Sequence, residues 1–282
     1  MTLPADRILL GAPIWAIGLT LFVLLIGMML LGIAVRRRTE RRAASEGEDA
    51  QEGYIVSGAL GLLALLLGFT FAMAVDRYDN RRSLVLEEAN AIGTTYLRAQ
   101  LLDEPFRSRL SRLLEGYTAS RIRLATADSR EQRAPLMARS DDYQQQMWTE
   151  TVAAVRPIRA LAVSARFVDA MNATIDAGAA RVASRRAHVP SRVLVMLAIY
   201  MLITAYILGY AMSAARRRSA TAVLLALTTL AYTLILDIDR PTGGRVLESQ
   251  AAMEDLLNMM RKNPPARFGT LVQQPAPVSP PG

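Results

Sequence analysis

Four apolar runs dominate what this chain can become: residues 13–35, 54–75, 192–215 and 221–237. Each is long enough to cross a hydrocarbon layer of roughly 30 Å as a helix. Within such a layer a backbone must satisfy its own polar groups, and an isolated apolar run does so only by coiling into an α-helix. With 52% hydrophobic residues, the chain reads as an all-α integral membrane protein. It has four transmembrane helices, with a helical-bundle insert between the second and third.

The second run continues past Asp76 without a proline. Arg77, Arg81, Arg82, Glu87 and Glu88 are interleaved with Val85, Ala89, Ile92 and Tyr96, so an amphipathic surface replaces an all-round apolar one. One helix is expected to pass from lipid to water here.

The chain divides into a first span with its basic and acidic loop (1–53), a second span (54–76), the insert (77–190), and the third and fourth spans (191–238). A short amphipathic segment (239–262) and a Pro-rich tail (263–282), expected to be disordered, complete it. In the insert, Phe106, Leu110, Leu113, Tyr117 and Leu124 follow heptad spacing after Pro105. Leu136, Tyr143, Trp148, Val152 and Val155 mark another helix, ended by Pro157. Ile158, Leu161, Ala165, Val168, Asn172, Ile175, Ala179 and Val182 alternate by three and four. With the continuation of the second span, these make four helices of an antiparallel bundle.

Arginine supplies almost all of the positive charge behind the net +8, since Lys262 is the only lysine. Clusters at 36–42 and 216–218 sit in the two short loops, which the positive-inside rule assigns to the cytoplasm. The insert, itself rich in arginine, is then outside, because long domains cross largely regardless of charge. Membrane lipids are the expected partners of the basic flanks. No nucleic-acid-binding motif is present.

The chemistry-bearing residues are sparse. There is no cysteine and one histidine, His188, which excludes a disulfide framework, a thiolate metal site and a multi-histidine centre. No metal or cofactor is expected. No phosphate-binding Gly-rich loop, zinc-protease helix or nucleophile elbow occurs, and the chain is not expected to be an enzyme. The adjacent pairs Glu87/Glu88 and Asp141/Asp142 diverge by about 100° on a helix and read as solvated. Asp237, Asp239 and Arg240 fall where lipid gives way to water, where ionisable groups line a cavity mouth, clamp a helix or mark the boundary.

Gly61, Ala64, Gly68 and Ala72 recur on one face of the second span, open to close helix packing or to a pore. Phe69 and Phe71, two residues apart, face opposite sides, so at most one can gate a given pore by dewetting. In the insert, Asn172 reads as a register-setting polar group of the bundle core, with Asp176 one turn later.

The blocks FAMAVDRYDNRRSLVLEEANAIGTTYLR, FVDAMNATIDAGAARVASRRAHVP and LDIDRPTGGRVLESQ resemble a bacterial family of unknown function labelled bestrophin-like. The resemblance covers roughly residues 54–257. It picks out Arg77, Tyr78, Glu88, Ala89 and Asn90, then Asn172, Asp176 and Arg181, then Asp237, Asp239, Arg240, Pro241 and Gly244. It implies a multi-pass protein of the bacterial inner membrane. By kinship with bestrophins, which are pentameric anion channels, it implies a homo-oligomer conducting small anions along a pore lined by the second span. This sequence has no counterpart of the bestrophins' calcium-binding acidic cluster. Their large non-membrane part is cytosolic, the reverse of the placement that the loop arginines favour here. The alternative reading is a non-channel sensor or scaffold whose insert binds a ligand or partner.

Overall fold

The computed structural model describes residues 12–40, 49–127, 129–211, 215–241 and 246–268. Gly244, the loop at 41–48 and the tail beyond 268 lie outside them. The helices are Ile14–Glu40 (α1), Asp49–Ala99 (α2), Phe106–Thr126 (α3), Arg130–Val155 (α4), Ala162–Arg186 (α5), Ser191–Ala211 (α6), Ala215–Asp239 (α7) and Ala251–Lys262 (α8). No β-strand occurs among the described residues. The stretches holding α1, α2, α6 and α7 are long and apolar enough to cross a membrane. The protein is all-helical and multi-pass, as its four apolar runs require. The proline-free run after residue 54 is indeed one helix, of 51 residues.

Two compact units form, Met1–Asp79 with Ala187–Leu247, and Asn80–Arg186 with Glu248–Gly282. In the first, α1 packs on α6 and α7. Leu21, Leu25, Met29 and Ile33 step along one face of α1, four residues apart, and meet Leu197, Met201, Ala205 and Leu208 of α6 in one cluster. Leu63 and Ala74 of α2 and Leu225, Tyr232 and Ile235 of α7 complete it. In lipid, exchanging tails for side chains yields little, so close backbone approach matters more. The approach occurs at Gly32 and Gly209: a Cβ on Gly209 would run into the Met29 backbone, and one on Gly32 into the Tyr206 carbonyl. Arg36 then donates from Nη1 to the carbonyls of Tyr210 (3.0 Å) and Ala211 (3.3 Å), satisfying the open end of α6.

In the second unit the C-terminal part of α2 is surrounded by α3, α4, α5 and α8. Val85, Ala89, Ile92, Tyr96, Leu110, Leu114, Tyr117, Met147, Phe167 and Met171 form its core, joined by Met253, Leu256 and Met260 of α8. The Tyr96 hydroxyl holds the end of α8 by donating to the Asn263 carbonyl (2.8 Å). Ser129 caps α4, accepting from the Gln132 amide at 3.2 Å, and Pro157 falls in a short 3-10 turn, Arg156–Ile158, that ends it.

Two predicted faces are rotated. On α5 the buried residues are Ser164, Phe167, Ala170, Met171, Thr174, Gly178 and Arg181. Asn172 and Asp176 are exposed, so Asn172 is not a core register group. That position belongs to Thr95 and Thr174, whose hydroxyls meet at 2.8 Å, with Thr95 also hydrogen-bonded to the Ala170 carbonyl. On α4 the core face holds Met147, Thr151 and Ala154 rather than Trp148 and Val152. An apolar row and the row one residue away differ by only 100°, and both helices carry enough alanine and threonine to bury either.

Gly209→Ala is expected to overpack the α1–α6 crossing at a cost of about 1–3 kcal/mol, lowering the thermal unfolding midpoint of the detergent-solubilised protein. Gly27→Ala, where an added Cβ meets nothing within 4 Å, is expected to leave the midpoint unchanged or raise it. Equal midpoints for both variants would refute the close crossing.

Candidate functional site

Three helices of the second unit carry a charged residue in phase with their apolar faces. Glu88 lies between Val85 and Ile92 on α2, Arg121 between Tyr117 and Leu124 on α3, and Arg181 three residues after Gly178 on α5. All three are buried, Glu88 completely.

Arg121 grips Glu88 with two donors, Nε to Oε1 at 2.6 Å and Nη2 to Oε2 at 3.2 Å. Arg181 donates Nη1 to Oε2 at 2.6 Å, and the Tyr117 hydroxyl donates to Oε1 at 3.1 Å. Each carboxylate oxygen thus accepts two hydrogen bonds, filling its ordinary capacity. Glu88 therefore has no lone pair left for a substrate or metal, and the cluster works as a tie between α2, α3 and α5.

A second carboxylate extends the network. Arg181 Nη2 donates to Gln250 Oε1 (2.6 Å), and Gln250 Nε2 to the Glu248 carbonyl (3.0 Å). The Glu248 carboxylate accepts from Arg185 at 3.0 Å and pairs with Arg81 at 2.8 Å. On the other side, Gln144 Nε2 donates to the Tyr117 hydroxyl at 3.0 Å. Gly178 leaves the room for this: a Cβ there would meet the Tyr117 hydroxyl at 2.5 Å and Gln144 at 3.0 Å.

Burial disfavours the Glu88 carboxylate, but the facing charges and hydrogen bonds of Arg121 and Arg181 outweigh it and hold the group below its ordinary value of 4.5. Burial opposes the Arg121 charge as well, yet Glu88 and Tyr117 keep that guanidinium above the usual value. Arg181 is pushed down, by burial and then by the neighbouring Arg121 and Arg185 charges.

Glu88 is thus not on a solvated face, the reading its pairing with Glu87 suggested; Glu87 is exposed and Glu88 turns inward. Of the other residues singled out in sequence, Arg181 joins Glu88, while Asn90 is exposed and Arg77 and Tyr78 are half-buried. In the first unit Asp239 accepts from the Val189 amide at 2.9 Å, clamping the approach to α6 onto the end of α7. His188 Nδ1 stands 3.9 Å from the same carboxylate. Arg240 is buried beside it in sequence, and Asp237 lines a groove between α1 and α7 with Trp15, Gly18 and Thr233.

Gly61, Ala64, Gly68, Phe69, Phe71 and Ala72 are all exposed, whereas Val56, Leu63, Thr70 and Ala74 of the same helix are buried. Among the described residues no three Asp, Glu or His side chains gather to hold a metal ion.

Sequence reasoning missed Arg121, Tyr117, Gln144, Glu248 and Gln250. The available signal was a charge in core phase on three neighbouring helices, and its meaning depends on which faces meet.

Residues 21–250 match the bestrophin-like domain. A variant of the bacterial bestrophin homolog from Klebsiella pneumoniae superposes with a TM-score of 0.66 at 13% identity, covering 92% of this chain and 99% of that one. The zinc-phased structure of the homolog gives 0.62 at 14% identity, with 91% and 99% covered. No curated protein matches the sequence.

Glu88→Gln is expected to cost about 3–5 kcal/mol, the usual result of removing one partner from a buried ion pair, measured as a lower unfolding midpoint at neutral pH. Because the folded carboxyl titrates below 4.5, its contribution is complete above that pH and is lost as pH falls through the folded value. The wild-type midpoint should therefore drop under acid more steeply than that of Glu88→Gln. Parallel acid profiles would remove Glu88 as the tie.

Proposed function

The chain belongs to the bestrophin-like domain family, and from that premise we propose that it is a homo-oligomeric channel of the bacterial inner membrane for small anions, its pore lined by α2. The observation that carries the proposal is the bare face of α2. In the first unit this helix buries Val56, Leu63, Thr70 and Ala74 and leaves Gly61, Ala64, Gly68 and Ala72 uncovered. Nothing lies within 4 Å of a Cβ built on Gly61 or Gly68.

A stripe of small residues lets helices approach closely, and here its partner is another copy of the chain. Four spans enclose no wide pore by themselves, whereas a closed ring of several copies does. Phe69 and Phe71, both exposed, flank the stripe, and an apolar ring turned inward closes a channel by dewetting. The arginine-rich composition raises the local anion concentration at a pore mouth.

Purified protein in liposomes should pass chloride in preference to potassium, and Gly68→Leu should reduce the flux while leaving the protein folded and monodisperse. Absence of flux from folded protein inserted in both orientations would favour the sensor or scaffold reading. The positive-inside rule, applied to the arginines at 36–42 and 216–218, favours an insert (77–190) on the outer side. Alkaline phosphatase fused after Pro190 should then be active, and an inactive fusion reverses the orientation.

A further inference from the structure

We propose that the groove between α1 and α7 holds one phospholipid with an ammonium headgroup, its acyl chains along the groove and its head at Asp237. The inference rests on α1 and α7 crossing the membrane and not on conduction.

Trp15 and Leu19 of α1 and Leu230 and Leu234 of α7 are exposed, while Gly18 and Thr229 between them are buried. Large side chains thus stand over a floor of small ones. A Cβ on Gly18 would come within 2.6 Å of the Thr233 methyl, so the two helices touch there and leave a trough of about 730 Å³ above the contact. Below its mouth the trough offers no free proton. The Thr229 hydroxyl donates to the Leu225 carbonyl at 2.8 Å and the Thr233 hydroxyl to that of Leu230 at 2.9 Å, and the helical backbone pairs with itself. Hydrocarbon is the occupant that gives up least there.

Depth fixes the kind of hydrocarbon. From Ala226 to Asp237 the groove runs about 16 Å along α7, about half of a roughly 30 Å hydrocarbon core. That is the depth of one leaflet. Its ends differ as a leaflet's do: Pro13, Trp15 and Asp237 line the end at the membrane boundary, where an interfacial tryptophan belongs, and Phe22 and Ala226 line the deep end. Spread over that length, 730 Å³ makes a trough narrower than an α-helix, which is about 10 Å across. A span from a second copy does not seat in it, whereas acyl chains do.

Charge selects the head. Asp237 is the one charged side chain that lines the groove among the described residues. Its carboxylate also supports the charge of Arg240, but that guanidinium is buried, so the mouth presents negative charge to a headgroup. An ammonium is attracted there, and a headgroup carrying only a phosphate charge is repelled.

Trp15 reports the site, because the chain has 2 tryptophans and the other, Trp148, lies in the second unit. The full chain with Trp148→Phe is reconstituted in bilayers of phosphatidylethanolamine and phosphatidylglycerol, one of the two brominated near the glycerol end of its chains so that it quenches an adjacent indole. Phosphatidylethanolamine should be enriched beside Trp15 over its bulk fraction by about two- to fivefold, the worth of a part-exposed ion pair. Asp237→Asn, which removes the charge at the mouth, and Ala226→Phe, which fills the deep end at an exposed position, should each abolish the enrichment. Mass spectrometry of the unaltered protein released intact from micelles should show one phosphatidylethanolamine retained per chain, a readout that stands if a variant fails to fold. Equal quenching by the two lipids, which marks ordinary boundary lipid, or an enrichment kept by both variants would overturn the proposal. So would the absence of quenching by either lipid, which means that a second copy or another part of the chain covers the groove. None of these readouts involves flux, so failure of the channel reading leaves this one standing, and the reverse.

Discussion

Glu88 sits wholly inside the bundle of the second unit, and three helices depend on how its charge is met. Taking a carboxylate out of water costs several kcal/mol even after relaxation. Arg121 and Arg181 offset that cost with three hydrogen bonds, two of them at 2.6 Å, and Tyr117 takes the remaining lone pair. Such a cluster adds little net stability over a well-packed apolar one. It does make every other arrangement of α2, α3 and α5 expensive, because a shift of either arginine strands a buried charge. The geometry around it follows from this: Gly178 has no side chain because Tyr117 and Gln144 fill the space, and Gln250 lies where Arg181 has a donor to spare.

The membrane unit is held by a different kind of contact. Leu, Met and Ile side chains find neighbours of the same polarity in lipid, so the advantage of α1 against α6 comes from proximity. Gly32 and Gly209 bring two backbones into direct contact, which increases dispersion and admits weak backbone interactions. Arg36 and Asp239 then secure helix ends, each pairing its charge with backbone groups that the helical ladder leaves open. The small-residue face of α2 stands apart because it is left uncovered among the described residues.

Arginine thus serves in two settings here: at Arg36 it ends a helix, and in the bundle it surrounds two carboxylates.

Class, span number and the long second helix were legible in the sequence, because the length and apolarity of a run suffice to demand a helix in lipid and because a proline-free amphipathic continuation has no reason to break. The residues Glu88 and Arg181 could be singled out as well. Which face each insert helix buries was not legible. On α5 the apolar residues support two rows a single residue apart, and the choice went to the row that brings Thr174 to Thr95 and Arg181 to Glu88. Asn172 lost its core place for the same reason. Arg121 looked like any arginine of a basic helix until α3 turned it toward Glu88. A carboxylate in core phase states that a cation must be near, but only the packing of the helices decides which one, since the partners lie 33 and 93 residues away in the chain.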